Sequence, residues 1–153
     1  MQFSLRKILS LECGTAAVEV AVIFPFIVLL LLGAVDLGVI VERNMTVVDA
    51  ARTAAQYAIM PGISTNLAAI QTVAANSATS IAGFHAVAAN VCTCGPGGAV
   101  VSCSSTCSGY GTPSEYVTVT TSANLPVLFA VRGLSATIPV QYVAASRVVW
   151  THP

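Results

Sequence analysis

Residues 19–36 read EVAVIFPFIVLLLLGAVD, an uncharged apolar run closed at each end by a carboxylate, Glu19 and Asp36. Widening the window to 16–41 adds no further charge. At 1.5 Å per residue those positions form a helix of roughly 39 Å, longer than the ~30 Å hydrocarbon core of a bilayer. The run therefore predicts one membrane-spanning helix, residues 15–41. Pro25 lacks a backbone donor and crowds the preceding turn, so the helix is expected to kink there without breaking. Gly33 and Asp36 lie within the same span. Arg6, Lys7 and the amino terminus precede the run, while Glu42 and Arg43 follow it and nearly cancel, so the positive-inside bias places the N-terminus in the cytoplasm and everything after about residue 42 outside. A cleaved secretory signal fits less well, because the run passes Gly33 and Asp36 straight into a helix-forming segment. A lipoprotein signal fits worse still, since Cys13 stands before the apolar run and follows Glu12.

The composition agrees with a lipid-facing chain. Of 153 residues, 56% are hydrophobic and 8% charged, against the ~25% charged residues of an ordinary soluble domain. Six basic residues balance six acidic ones, so no basic field exists for nucleic-acid binding, and the low net charge with high hydrophobicity excludes disorder. Past the span, Ile40, Val47, Val48, Ala51, Ala54, Ala55, Ala58 and Ile59 recur at helical spacing, predicting a helical stalk over 42–60 that ends at Pro61-Gly62. Its small residues suit a core face for the external domain. Ser64-Thr65-Asn66 supply a cap for a second helix of about 66–82, with Leu67, Ile70, Val73, Ala74, Ala78 and Ile81 near one face. Residues 91–113 shift to Cys, Gly, Ser and Thr and read as a loop. Strands are expected from Glu115 to Ala123 and from Leu134 to Trp150, with breaks at Pro126 and Arg132-Gly133. The expected fold is α+β: a long, kinked N-terminal transmembrane helix running into a stalk, then a small extracytoplasmic head over 61–153 with one further helix and a C-terminal antiparallel β-region.

Glu19 requires an explanation. A carboxylate at the centre of a membrane helix costs ~2.5–3.5 kcal/mol, and less toward an interface. It stands five positions after Gly14, behind a short basic leader. A cut after Gly14 would create an α-amino group at Thr15, about one helical turn from Glu19, and the two would form a pairable unit within one chain or between neighbours. The plain alternative is a tolerated interfacial carboxylate. The basic leader, Gly14, Glu19, the run with Pro25 and Gly33, the Asp36-Leu37-Gly38 step and the Ala/Arg-rich segment from Asp49 to Ala58 together resemble the TadE-like family of pseudopilin-like proteins of tight-adherence (Flp-type) pilus systems. The resemblance is strong over about 10–60, weaker over Tyr116–Thr120, Pro126–Phe129 and Gly133–Arg147, and absent over 61–112; Asp36 replaces the more usual Glu. It implies a leader, residues 1–14, removed after Gly14 by a prepilin peptidase. It also implies a bacterial inner-membrane location and partnership with other pilus subunits and membrane assembly proteins.

Five cysteines are present, and removal of the leader would leave four: Cys92, Cys94, Cys103 and Cys107. Outside the cytoplasm they predict two disulfides stapling one loop, with three pairings open and a direct Cys92 to Cys94 bond the least comfortable. Zinc binding or free thiols are the alternatives, although C-x-C is not the usual zinc knuckle and no histidine adjoins it. No nucleophile elbow, zincin, P-loop or dinucleotide motif occurs, and Glu42, Asp49 and Glu115 are too scattered for a paired acid–base site. His85, in an apolar and helix-like context, and His152 read as fillers. No catalytic residue, metal site or cofactor is expected. The competing functional reading is an uncleaved single-pass anchor carrying a binding module whose cysteine loop recognises a ligand.

Overall fold

A computed structural model of the chain describes residues 13–95, 97–129, 133 and 135–148. The expected positions Arg6, Lys7, Glu12, Arg132, Leu134, Trp150 and His152 lie outside the described residues. The chain divides between Gly38 and Val39 into two compact units.

The first unit holds the N-terminal part of helix α1, which spans Cys13–Tyr57. Pro25 lies inside α1 and does not break it. The helix carries a low-charge, strongly apolar segment with its large side chains outward, including Phe26 at 64%, Leu29 at 66% and Leu30 at 75% exposure.

The second unit is an α+β head. Its helices are the last turns of α1 and α2, Leu67–Ser77. Its four strands are β1 His85–Thr93, β2 Val100–Val101, β3 Ser114–Pro126 and β4 Thr137–Arg147. They form one antiparallel sheet in the order β2-β1-β3-β4. Along β3 the period of two is clean: Val117, Val119, Thr121, Ala123 and Leu125 are buried and alternate with more exposed residues.

The inner sheet face packs on α1 in two clusters. Ala51, Ala54, Ala55 and Ala58 meet Ile70, Ala74, Ala88, Val117, Val119 and Ala144. Val47 and Ala50 meet Ala78, Ile81, Ala123 and Leu125, with Ile40, Phe84 and Val140 at the margin. The alanines occur every three or four residues, so one helix face consists of little more than Cβ atoms and the sheet can lie close to it. Two hydroxyls fasten the layers: the buried Thr121 Oγ1 donates to the Val47 carbonyl at 3.0 Å, and Ser146 Oγ donates to the Ala55 carbonyl at 2.6 Å.

Four expectations are corrected. The stalk helix ends at Tyr57 rather than about Met60, because Ile59 N–H and Met60 N–H turn back to Gln56 and Tyr57 at 3.3 and 3.2 Å, tightening the chain before Pro61. The second helix has its Asn66 cap, whose side chain accepts from Ala69 N–H at 3.1 Å, yet it stops at Ser77 rather than 82. Ala78 and Ile81 stay buried after the helix has ended, which prolonged the apparent period. His85 is the exposed first residue of a strand, not part of a helix-like segment, and the sheet begins there, well ahead of Glu115. The cysteine-bearing stretch 91–113 is not wholly loop, since β1 ends in it and β2 lies inside it.

Candidate functional site

The apolar segment is the first candidate. Gly14 and Thr15 sit in the first turn of α1, and Glu19 follows as an exposed residue one turn beyond Thr15, on the same face at i, i+4 spacing. Pro25, Gly33 and Asp36 occupy the same helix. Nothing lies within 4 Å of where a Cβ on Gly33 or Gly38 would stand. An 18-residue window within Ala17–Tyr57 reaches a mean hydropathy of 2.7 with none of it buried. Soluble proteins bury such side chains. This one N-terminal apolar helix fits a single-pass membrane anchor.

The stapled loop is the second. Cys92 bonds Cys103 with the Cα atoms 5.1 Å apart, and Cys94 bonds Cys107 at 5.5 Å. This is the interleaved member of the three pairings, and it takes up all four sulfurs. The β1–β2 register explains the first bond: Cys92 faces Val101 across the ladder, two residues before Cys103. The second bond draws in a tight turn in which Cys107 N–H donates to the Gly111 carbonyl at 2.7 Å and Gly111 N–H returns to the Cys107 carbonyl at 3.1 Å. Gly95, at φ +81°, lies under the Tyr110 ring, where a Cβ would come within 3.0 Å of the ring carbons. No charged residue occurs from 91 to 113, and Ser105 Oγ binds the Ser102 carbonyl at 2.7 Å. The loop is doubly stapled, neutral and rich in hydroxyls. Among the described residues no group of three or more His, Cys, Asp or Glu is placed to hold a metal ion.

Sequence reasoning missed the contacts that fix the head to α1. Arg52 donates to the Tyr142 hydroxyl at 3.4 Å with its guanidinium carbon 5.6 Å from the ring centroid. The hydrogen bond to Tyr142, its charge interaction with that residue and the nearby Asp49 raise the Arg52 pKa further, so this cation is permanent at any accessible pH. A lone tyrosine in an alternating strand gives no sign of which helix residue it will meet.

Residues 14–56 match the family model described as TadE-like protein. The match falls wholly within α1 and includes both its outward apolar part and the alanine face of the head. No curated protein and no solved structure matches the chain.

Proposed function

We propose that this chain, TadE-like over residues 14–56, is a pseudopilin-like minor component of a tight-adherence (Flp-type) pilus or a related secretion apparatus, working by assembly rather than by catalysis. The observation that carries the reading is the coincidence of the family match with a single helix whose membrane-length part faces outward with Phe, Leu, Ile and Val.

On this reading the chain enters the bacterial inner membrane with its N-terminus in the cytoplasm. A prepilin peptidase hydrolyses the Gly14–Thr15 peptide bond, giving a Gly14 carboxylate on the leader and a new amine on Thr15. That cation stands one turn from Glu19, which offsets the cost of a carboxylate at the edge of the hydrocarbon. Because Glu19 is outward and Thr15 shares its face, the pair can close within one helix or bridge two helices packed side by side. Other pilus subunits and membrane assembly proteins are the partners, and the stapled head is presented outside the membrane.

The test is the intact mass and N-terminal sequence of the membrane-extracted protein from cells with and without the prepilin peptidase. A chain beginning at Thr15 only where the peptidase is present, with the leader retained in Gly14→Ala, is the expected result. Retention of residues 1–14 in both cells removes the pseudopilin reading and leaves an uncleaved anchor with a binding head. Release of intact protein by sodium carbonate removes the membrane span itself.

A further inference from the structure

The disulfides of the head do not follow the order of the chain. Cys92 is bonded to Cys103 and Cys94 to Cys107, at sequence separations of 11 and 13, so each bond passes over a cysteine that belongs to the other. The shorter closures are the ones not used: Cys92 and Cys94 stand two positions apart, and Cys103 and Cys107 four. In a chain that has not yet folded, the chance that two thiols meet falls with roughly the 3/2 power of the loop between them, so Cys103 meets Cys107 about 5 times as often as it meets Cys92. The native pairing is therefore selected by structure and not by proximity. Cys92 comes within reach of Cys103 when β2 lies against the end of β1 and Val101 stands opposite Cys92. β1 in turn is held by nine residues of register against β3, which begins at Ser114, after the last of the four cysteines. No template for the native bonds exists until the chain beyond Cys107 has been made and paired.

With the head outside the inner membrane, the chain after residue 42 crosses in sequence order. Cys92 and Cys94 emerge first, Cys103 and Cys107 next, and β3 last, into a compartment that oxidises thiols. Oxidation at that stage gives the consecutive isomer, Cys92 bonded to Cys94 and Cys103 to Cys107. Exchange between disulfides needs an attacking thiolate, and this isomer has none of its own. No cysteine follows Cys107, and Cys13 stands before the apolar run, in the leader and on the cytoplasmic side. The thiolate must then come from another molecule. In the folded head Cys92 and Cys107 are buried, one end of each native bond, so the finished pairing is shielded where the open isomer is not.

We infer that this chain is a substrate of a disulfide isomerase with a reactive thiol, acting outside the inner membrane, which converts the consecutive isomer into the interleaved one. The isomerase thiolate attacks Cys103 Sγ, breaks the Cys103–Cys107 bond and forms a mixed disulfide, with Cys107 leaving as a thiolate. Cys107 Sγ attacks Cys94 Sγ, forming the Cys94–Cys107 bond and freeing the Cys92 thiolate. Cys92 Sγ then attacks Cys103 Sγ in the mixed disulfide, forming the Cys92–Cys103 bond and returning the isomerase thiolate. Two disulfides enter and two leave, so the exchange consumes no oxidant or reductant. The inference rests on the reading of the head as extracytoplasmic.

The test uses the full chain, made in bacteria with and without the periplasmic disulfide isomerase, the thiol oxidant being left in place. Cells are quenched in acid, free thiols are blocked with N-ethylmaleimide, and the unfolded, membrane-extracted chain is cut by thermolysin before Val100 or Val101, between Cys94 and Cys103. In the native pairing the two pieces stay joined by both bonds, whereas in the consecutive isomer they separate, each closed on itself. The expected result is joined pieces where the isomerase is present and about 5-fold more separated pieces where it is absent. Joined pieces at the same level in both cells overturn the inference and leave the location of the head standing. The double variant Cys94→Ser, Cys107→Ser keeps one native bond and no wrong partner, so its Cys92–Cys103 bond should form equally in both cells. Loss of that bond without the isomerase would mean that the enzyme acts on folding rather than on pairing, and also overturns the inference. Blocking of all four head cysteines in cells that contain the isomerase would put the head in a reducing compartment, and the extracytoplasmic reading would fall with the inference.

Discussion

One helix, α1, uses two kinds of apolar residue. Up to Gly38 it is built from Leu, Ile, Val and Phe, whose side chains point outward, Leu30 being 75% exposed. Over 47–58 its inward residues are Val47 and alanines, nearly all at 0% exposure. Polar and charged residues, Asp49, Arg52 and Gln56, return in the second stretch, yet its inward face stays apolar and differs from the first in side-chain size. The difference lies in what each must touch. A helix in hydrocarbon is solvated by lipid and gains nothing from small residues unless another helix approaches. A helix under a sheet must let the strands come close, and alanine does so while keeping the highest helix propensity. With the first stretch read as a membrane anchor, side-chain size along the helix marks where its surroundings change from lipid to protein.

The sharpest way to break this contrast is to delete the same side chain on both sides of it. Leu125→Ala removes a fully buried leucine near the end of β3 and should cost the head about 2–5 kcal/mol, read from urea unfolding of the full chain in mild detergent by near-UV circular dichroism. Leu30→Ala, at a site 75% exposed, should leave that midpoint within about 0.5 kcal/mol of the parent. Equal losses would mean that the outward segment is part of the folded core. Next in size is the staple. Replacing both Cys94 and Cys107 by serine opens a bond spanning 13 residues, for which loop-closure entropy gives about 3 kcal/mol, and the same unfolding curve checks it. Overpacking comes third. Ala54→Leu forces three extra carbons into the zero-exposure contact with the sheet and should cost about 1–3 kcal/mol. Gly33→Leu, where nothing lies within 4 Å, should not move head stability at all.

How far these features are legible in the sequence follows the same division. The span and the alanine face were readable because helical period and side-chain size are local properties. The Asn66 cap was readable for the same reason. The end of α2 was not, since Ala78 and Ile81 keep the burial pattern while the backbone has already turned. β1 was missed because HAVAANVCT is rich in alanine, a poor strand former. What makes it a strand is nine residues of register against β3, a tertiary effect that overrides propensity. The disulfide pairing was open for a related reason: spacing allows three connectivities, and only the β1–β2 ladder, which sets Cys92 opposite Val101, selects one. The alanine face also predicts a partner surface without saying which strand supplies it.

The smallest effect separates two hydroxyls that look equivalent. Thr121 and Ser146 both donate to a carbonyl of α1, at 3.0 and 2.6 Å. Val47 lies in the middle of the helix, so its carbonyl already accepts the N–H four residues on, and the Thr121 bond is a second one. Ala55 lies in the last turn, where Ile59 N–H has moved to Gln56, and the Ala55 carbonyl depends on Ser146 as its cap. Ser146→Ala therefore strands a half-buried acceptor and should cost about 1 kcal/mol. Thr121→Val keeps the shape, fills the same volume with a methyl group and leaves no carbonyl without a partner, so its cost should be under about 0.5 kcal/mol, although Thr121 is the more deeply buried of the two. Paired unfolding curves decide the matter. A larger loss for Thr121→Val would show that depth of burial, rather than the supply of helical partners to the carbonyl, sets the value of these bonds.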